Sequence, residues 1–125
     1  MATQYDAYAP FPDAHVNGSL TLSENIADLA GLAVAYDAWQ IGLRAQAAPT
    51  IDGFTGSQQF FLAFAQSWCS KRREESARRH LITDAHAPPE FRTATVRNLD
   101  AWYAAFDVGR DQKLYLAPAD RIHVW

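Results

Sequence analysis

The chain has a single cysteine, Cys69, among 125 residues. No internal disulfide can form, so the fold has to rest on its core. Cys69 lies between Trp68 and a charged run and reads as a small buried hydrophobe rather than a nucleophile. No apolar run approaches the ~20 residues that span a bilayer. The opening Met1-Ala2-Thr3 shows no leader pattern. Basic charge is also scarce: the formal net charge is -3, which removes the electrostatic case for nucleic acid as a partner. Arg72, Arg73, Arg78 and Arg79 cluster, but Glu74 and Glu75 interrupt them, so they read as a solvated helix face. Ser19, Ser23 and Ser57 lack a nucleophile-elbow context, so serine hydrolysis is not supported. The four histidines are His15, His80, His86 and His123. No two stand at helical ligand spacing, and the sequence contains no His-Glu-x-x-His.

What is present is apolar mass. Hydrophobic residues make up 49% and aromatics 13%, enough for a dense core. A chain of this length buries roughly two-thirds of its unfolded surface and reads as one domain, 1–125. Pro10, Pro12, Asn17 and Gly18 make residues 1–20 irregular. A helix is expected from Thr21 or Ser23 to about Leu43. From Leu29 to Tyr36 it is apolar on nearly every side, the pattern of a helix buried by its neighbours. Gly31 and Gly42 lower its propensity, as glycines do where another backbone approaches closely.

Residues 46–57 read as a loop, with Ser57 capping a second helix from Gln58 to about Arg73. Phe60, Phe64 and Trp68 repeat every four residues along it, a core stripe. A short helix over Glu74 to Leu81 follows, then a loop over 82–89. The next helix spans about Glu90 to Arg97, with Pro89 at its first position. Asn98 or Asp100 caps a helix carrying Trp102, Tyr103 and Phe106. Tyr115-Leu116 and Ile122 to Trp125 read as short extended pieces. The expected fold is mainly α with little β.

Glu24 and Asp28 are four residues apart on the first long helix, so both carboxylates point the same way. Such a pair suits a metal ligand and a helper that orients a neighbouring ligand. Thr21-Leu22-Ser23-Glu24 also fits a capping box, in which Glu24 would merely return to the cap. Asp28 argues for function, because a carboxylate beside an apolar stretch costs free energy unless it is paired. Asp84 stands two residues before His86, where its carboxylate can fix the ring tautomer. The other ring nitrogen can then donate to a developing oxyanion. Arg92 offers a planar fork to a carbonyl. The plainer readings are a loop histidine and a surface arginine. His15, His80 and His123 show no partner pattern.

Together, the stretches Val16 to Asp28, Phe60 to Trp68, Thr83 to Arg92 and Arg121 to Trp125 resemble the C-terminal end of the neprilysin family of zinc metallopeptidases. Gln4 to Tyr8 looks like the bacterial oligopeptidase branch. The resemblance covers nearly the whole chain but a minor part of a full-length member. It implies the helical part of a thermolysin-like catalytic domain. By that resemblance Glu24 is the third zinc ligand and Asp28 orients a zinc-bound histidine. His86 stabilises the oxyanion, Asp84 orients His86, and Arg92 grips a substrate carbonyl. The implied reaction is hydrolysis of peptide bonds in short peptides, with Zn²⁺ as cofactor and a peptide as substrate.

Several family features are absent. The His-Glu-x-x-His segment, the Asn-Ala-x-Tyr substrate-binding segment and the large helical lobe lie upstream in the family and not in this chain. Ser23 stands where the family usually has glycine, and Arg73-Glu74-Glu75 replaces Arg-Pro-Glu. Animal members use a cysteine near position 69 in a long-range disulfide. The chain by itself is therefore expected to bind no zinc and to cleave nothing. Its partner is the missing histidine-bearing segment, or another copy of itself. The parent's expected location is extracytoplasmic; nothing places this chain. The alternative is a stand-alone helical interaction module derived from a peptidase.

Overall fold

Asn17 starts the turn that launches the longest helix of the computed structural model, which describes residues 1–124. The Asn17 carbonyl accepts from the Thr21 N–H and hydroxyl, and its Oδ1 accepts from the Leu20 N–H, so backbone and side chain together close the turn. Helix α2 then runs Leu22–Gly42, within a residue or two of the predicted bounds. The capping box is not formed. The Thr21 hydroxyl instead accepts from the buried Asn25 amide at 2.9 Å, which leaves the Glu24 carboxylate available elsewhere. Before α2, Ala2–Asp6 forms a short helix, α1, in a stretch expected to be irregular.

Helix α3 spans Gly56–Ser67 and is capped by Thr55, not Ser57. Thr55 is extended, exchanges a full capping box with Gln58, and so satisfies two otherwise orphaned donors. Ser57 instead hydrogen-bonds the Tyr36 hydroxyl. The helix stops well short of Arg73, because the apolar stripe ends at Trp68 and the polar residues after it have nothing to bury. Cys69 is consequently exposed, contrary to the buried position expected for it. Helix α4 covers Glu74–Thr83. Helix α5, Pro89–Thr93, has proline at its first position as expected and tightens into a 3₁₀ turn at Ala94–Asn98. Helix α6 is Asp100–Phe106, with Leu99 at its cap.

Asn98 caps nothing. It is fully buried, exchanges two amide hydrogen bonds with Gln4, and accepts from the Ile122 N–H. One side chain thus ties both ends of the described chain to its centre. The extended pieces predicted at 115–116 and 122–124 are not strands; Trp125 lies outside the described residues. No neighbouring strand meets them, and Arg97 takes the Leu114 and Tyr115 carbonyls instead. Among the described residues the only β pairing is two isolated bridges, Phe11 with Ala14 and Ile51 with Phe54. The fold is mainly α, as expected.

Two apolar clusters hold these pieces. Tyr5, Val16 and Ala87 form one, with Tyr8, Leu81 and Phe91 against it. Leu32, Phe61 and Val96 centre the other, joined by Tyr36, Phe60, Phe64, Trp102 and Phe106. Helix α2 is covered on one side only. Leu29 and Leu32 are buried, whereas Val34 is 52% and Ile41 77% exposed. A Cβ added at Gly31 would meet nothing within 4 Å, so the close backbone approach predicted there does not occur among the described residues. Among the described residues no helix is long and apolar enough to cross a membrane.

Candidate active site

The first turns of α2 and the loop between α4 and α5 meet at one edge of the molecule. Glu24 lies in the first turn of α2 and Asp28 one turn later, on the same face as the spacing requires. The loop carries Asp84 and His86, and α5 carries Arg92. The five side chains singled out by sequence therefore converge.

Asp84 Oδ1 accepts from the His86 backbone N–H at 2.9 Å and lies 2.8 Å from His86 Nδ1. A carboxylate only accepts, so the proton sits on Nδ1. That leaves Nε2 at the far side of the ring, 3.1 Å from Glu24 Oε2. The backbone N–H of His86, and then its ring, hold the Asp84 carboxyl below its ordinary range. Glu24, Asp84 and His86 are each a little over one-third exposed, so the chain of contacts is open to solvent.

The neighbouring pair is drier. Arg92 clasps Asp28 in a bidentate pair, Nε to Oδ2 at 2.7 Å and Nη2 to Oδ1 at 2.6 Å. The two side chains are 15% and 9% exposed. The Asp28 carboxylate raises the Arg92 pKa. The guanidinium lies 4.0 Å over the Trp68 ring, a cation–π contact that stiffens its plane. Asp28 thus holds Arg92, a partnership the sequence reading did not contain. Arg92 Nη1 makes no hydrogen bond among the described residues and remains available to an acceptor. Burial pushes the nearby Tyr5 phenol above its ordinary pKa, with Asp28 acting in the same direction.

Trp68, Arg72 and His80 also belong to this region and were not picked out by sequence. With Asp84, His86 and Arg92 they line a cavity of about 150 Å³. Trp68 was read as core, and here it supports the arginine. His80 is four residues before Asp84, and that spacing was a usable signal.

The donor set offers a divalent metal one anionic oxygen, that of Glu24, with an imidazole beside it. Zinc sites generally take at least three protein donors. Among the described residues no group of three or more His, Cys, Asp or Glu is arranged to hold a metal ion. The residues present fit zinc as a contributor to a shared site.

Comparison with known proteins gives one consistent outcome. The family model described as "Peptidase family M13" matches residues 1–122. Human endothelin-converting enzyme-like 1 is 38% identical over 97% of this chain and 16% of its own length. The zinc metalloprotease ZMP1 of Mycobacterium tuberculosis superposes with a TM-score of 0.96 and 46% identity, over 99% of this chain and 20% of that one. PEPO from Lactobacillus rhamnosis superposes at 0.80 with 37% identity, over 100% and 18%. The chain therefore spans no more than about a fifth of the relatives it matches.

Proposed function

The chain belongs to peptidase family M13, and from that membership we propose that it supplies one side of a zinc endopeptidase site acting on short peptides. In this reading Glu24 is its metal ligand and His86 its oxyanion donor. The supporting observation is the continuous run Asp84–His86–Glu24, with steps of 2.8 and 3.1 Å. The donor nitrogen is thereby held next to the carboxylate that would carry the metal. Zinc, when bound, supplies a water acidic enough to attack a peptide carbonyl near neutral pH.

The chain's own residues then divide the work. Asp84 keeps the His86 proton on Nδ1 and the ring in one orientation. His86 Nε2, once protonated, donates to the carbonyl oxygen as negative charge builds on it. Arg92 is braced by Asp28 and Trp68 and offers Nη1 to a backbone carbonyl of the peptide. A carboxylate has about four acceptor positions, so Asp28 retains capacity to orient an incoming histidine while it holds Arg92.

The two histidine ligands come from a second segment in this reading. An apolar groove of about 390 Å³ lies between α2 and α3, lined by Ala27, Gly31, Ala35, Phe60 and Phe64, with Asp28 at its edge. Its small-residue floor suits a packed helix, and the Asp28 carboxylate at its edge, one turn from Glu24, suits one that carries His-Glu-x-x-His.

The test is a chimera in which this chain replaces the matching part of a family peptidase. Zinc content and cleavage of a short peptide are measured. Glu24→Gln is expected to lose zinc. His86→Gln is expected to keep zinc and lose about 10²–10³ in kcat, the usual scale for an oxyanion donor. The chain alone, dialysed against zinc, is expected to retain no stoichiometric metal and to cleave nothing. Zinc retention unaffected by Glu24→Gln would refute the assignment.

A further inference from the structure

We propose that Arg72 is a specificity-determining residue that receives a carboxylate of the bound ligand, an acidic side chain or a free C-terminus; that the ligand is a peptide rests on the peptidase reading above. Arg72 stands in the link between α3 and α4 and is exposed. It lines the 150 Å³ cavity of the site together with Trp68, His86 and Arg92. It also lines a larger cleft of about 490 Å³, which shares Trp68 and Pro89 with that cavity. A chain that leaves the site along Trp68 runs past the guanidinium.

The guanidinium is anchored without being neutralised. Arg72 Nη1 donates to His80 Nδ1 at 2.8 Å, and the His80 ring is 8% exposed. A buried ring is a fixed post, so the side chain is held at the cavity wall before any ligand arrives. An imidazole that accepts at Nδ1 is uncharged, and four of the five guanidinium N–H groups stay uncommitted. Arg78, Arg92 and Arg121 each form an ion pair with a carboxylate; Arg72 forms none among the described residues. Asp84 lies across the same His80 nitrogen, with Oδ2 at 3.1 Å, and its other oxygen serves His86.

The two arginines of the site cavity therefore differ in what they can hold. Arg92 shares its charge with Asp28 and suits a neutral carbonyl. Arg72 has no such carboxylate of its own and suits an anion, which its planar fork can grip at two points. Glu90 is the carboxylate of the larger cleft, but it does not line the site cavity. A ligand carboxylate is thus favoured where the two cavities meet and opposed further along the cleft. The other walls there include Ala65, Ala77 and Pro88, which accept the apolar body of a peptide and compete for no charge.

The experiment titrates the chain itself with three short peptides of one neutral sequence, following the Trp68 indole and Arg72 Nε–H signals by ¹H–¹⁵N NMR. One peptide is capped at both ends, one is capped and carries a single glutamate, and one has a free C-terminus. At least one of the two carboxylate peptides is expected to bind about tenfold more tightly than the fully capped one, the low end for a charge-assisted hydrogen bond because Arg72 is exposed. Preference for the glutamate peptide identifies a side chain as the source of the carboxylate; preference for the free C-terminus identifies the terminus. Arg72→Met, at an exposed position that the fold tolerates, is expected to abolish the preference. Arg72→Lys keeps the charge without the fork and is expected to retain part of it. Equal binding of the three peptides, binding of none, or a preference that survives Arg72→Met overturns the proposal. In the chimera described above, the ratio of kcat/KM for the preferred carboxylate peptide over the capped one is expected to fall about tenfold in Arg72→Met. A chimera that cleaves with an unchanged ratio sinks the Arg72 role alone. A chimera that cleaves nothing sinks the peptidase reading, and the titration, which needs no zinc, still decides Arg72.

Discussion

Asp28 and Arg92 are 64 positions apart in sequence, yet they form the tightest polar contact of the site. Both are largely withdrawn from water, so removing one partner strands the other. Asp28→Ala is expected to cost about 3 kcal/mol, the low end for breaking a buried pair, as measured by urea denaturation. Asp28→Ala combined with Arg92→Met should cost less than the sum of the two single changes, because no unpaired charge remains. Asp84 makes a different prediction. Its folded pKa is depressed, first by the His86 backbone N–H and then by the ring. The stabilisation it provides is therefore fully present above the ordinary carboxylate range, about pH 4. It is lost as pH falls through the lower folded value. Urea midpoints followed from neutral pH into acid should fall less steeply in Asp84→Asn. The difference will be modest, because the side chain is more than one-third exposed and water screens it.

At the scale of elements, two glycines with the same intrinsic propensity have opposite surroundings. A Cβ at Gly18 would come within 2.0 Å of the Ala2 carbonyl oxygen and 2.7 Å of its carbon. Backbone atoms of α1 cannot step aside as a flexible side chain would. The Gly18 N–H also donates to Asp6 Oδ1 at 2.7 Å, which pins the loop to α1. Gly18→Ala is expected to lose about 1–3 kcal/mol, the range for forced overpacking. Gly31, in the middle of α2, faces open space. Gly31→Ala should stabilise the isolated chain by about 0.5–1 kcal/mol through helix propensity alone. Thermal denaturation of the two variants checks both signs. No gain in Gly31→Ala would overturn the assignment of Gly31 to an uncrowded face.

For the whole molecule, the uncovered side of α2 is the feature that matters. Ala27, Gly31, Val34 and Ile41 follow spacings of four, three and seven and so share a stripe, and Val34 and Ile41 are more than half exposed. An apolar stripe of this kind invites association. Light scattering of the isolated chain is expected to give a mass above that of one copy, and Val34→Glu to reduce it; a strict monomer would count against the stripe as an interface. The amino-acid sequence by itself determined the bounds of α2, the start of α5 and the helical class, because breaker residues, an N-terminal proline and apolar periodicity act over a few residues. It also marked Glu24 with Asp28 and Asp84 with His86, because a one-turn spacing and an Asp-x-His step are local patterns. Tertiary structure decided the rest. It placed Asp28 on Arg92, stacked Arg92 on Trp68 and exposed Cys69. Each of these depends on which distant segment fills the space beside a side chain, and the nearest residues in the chain do not settle that.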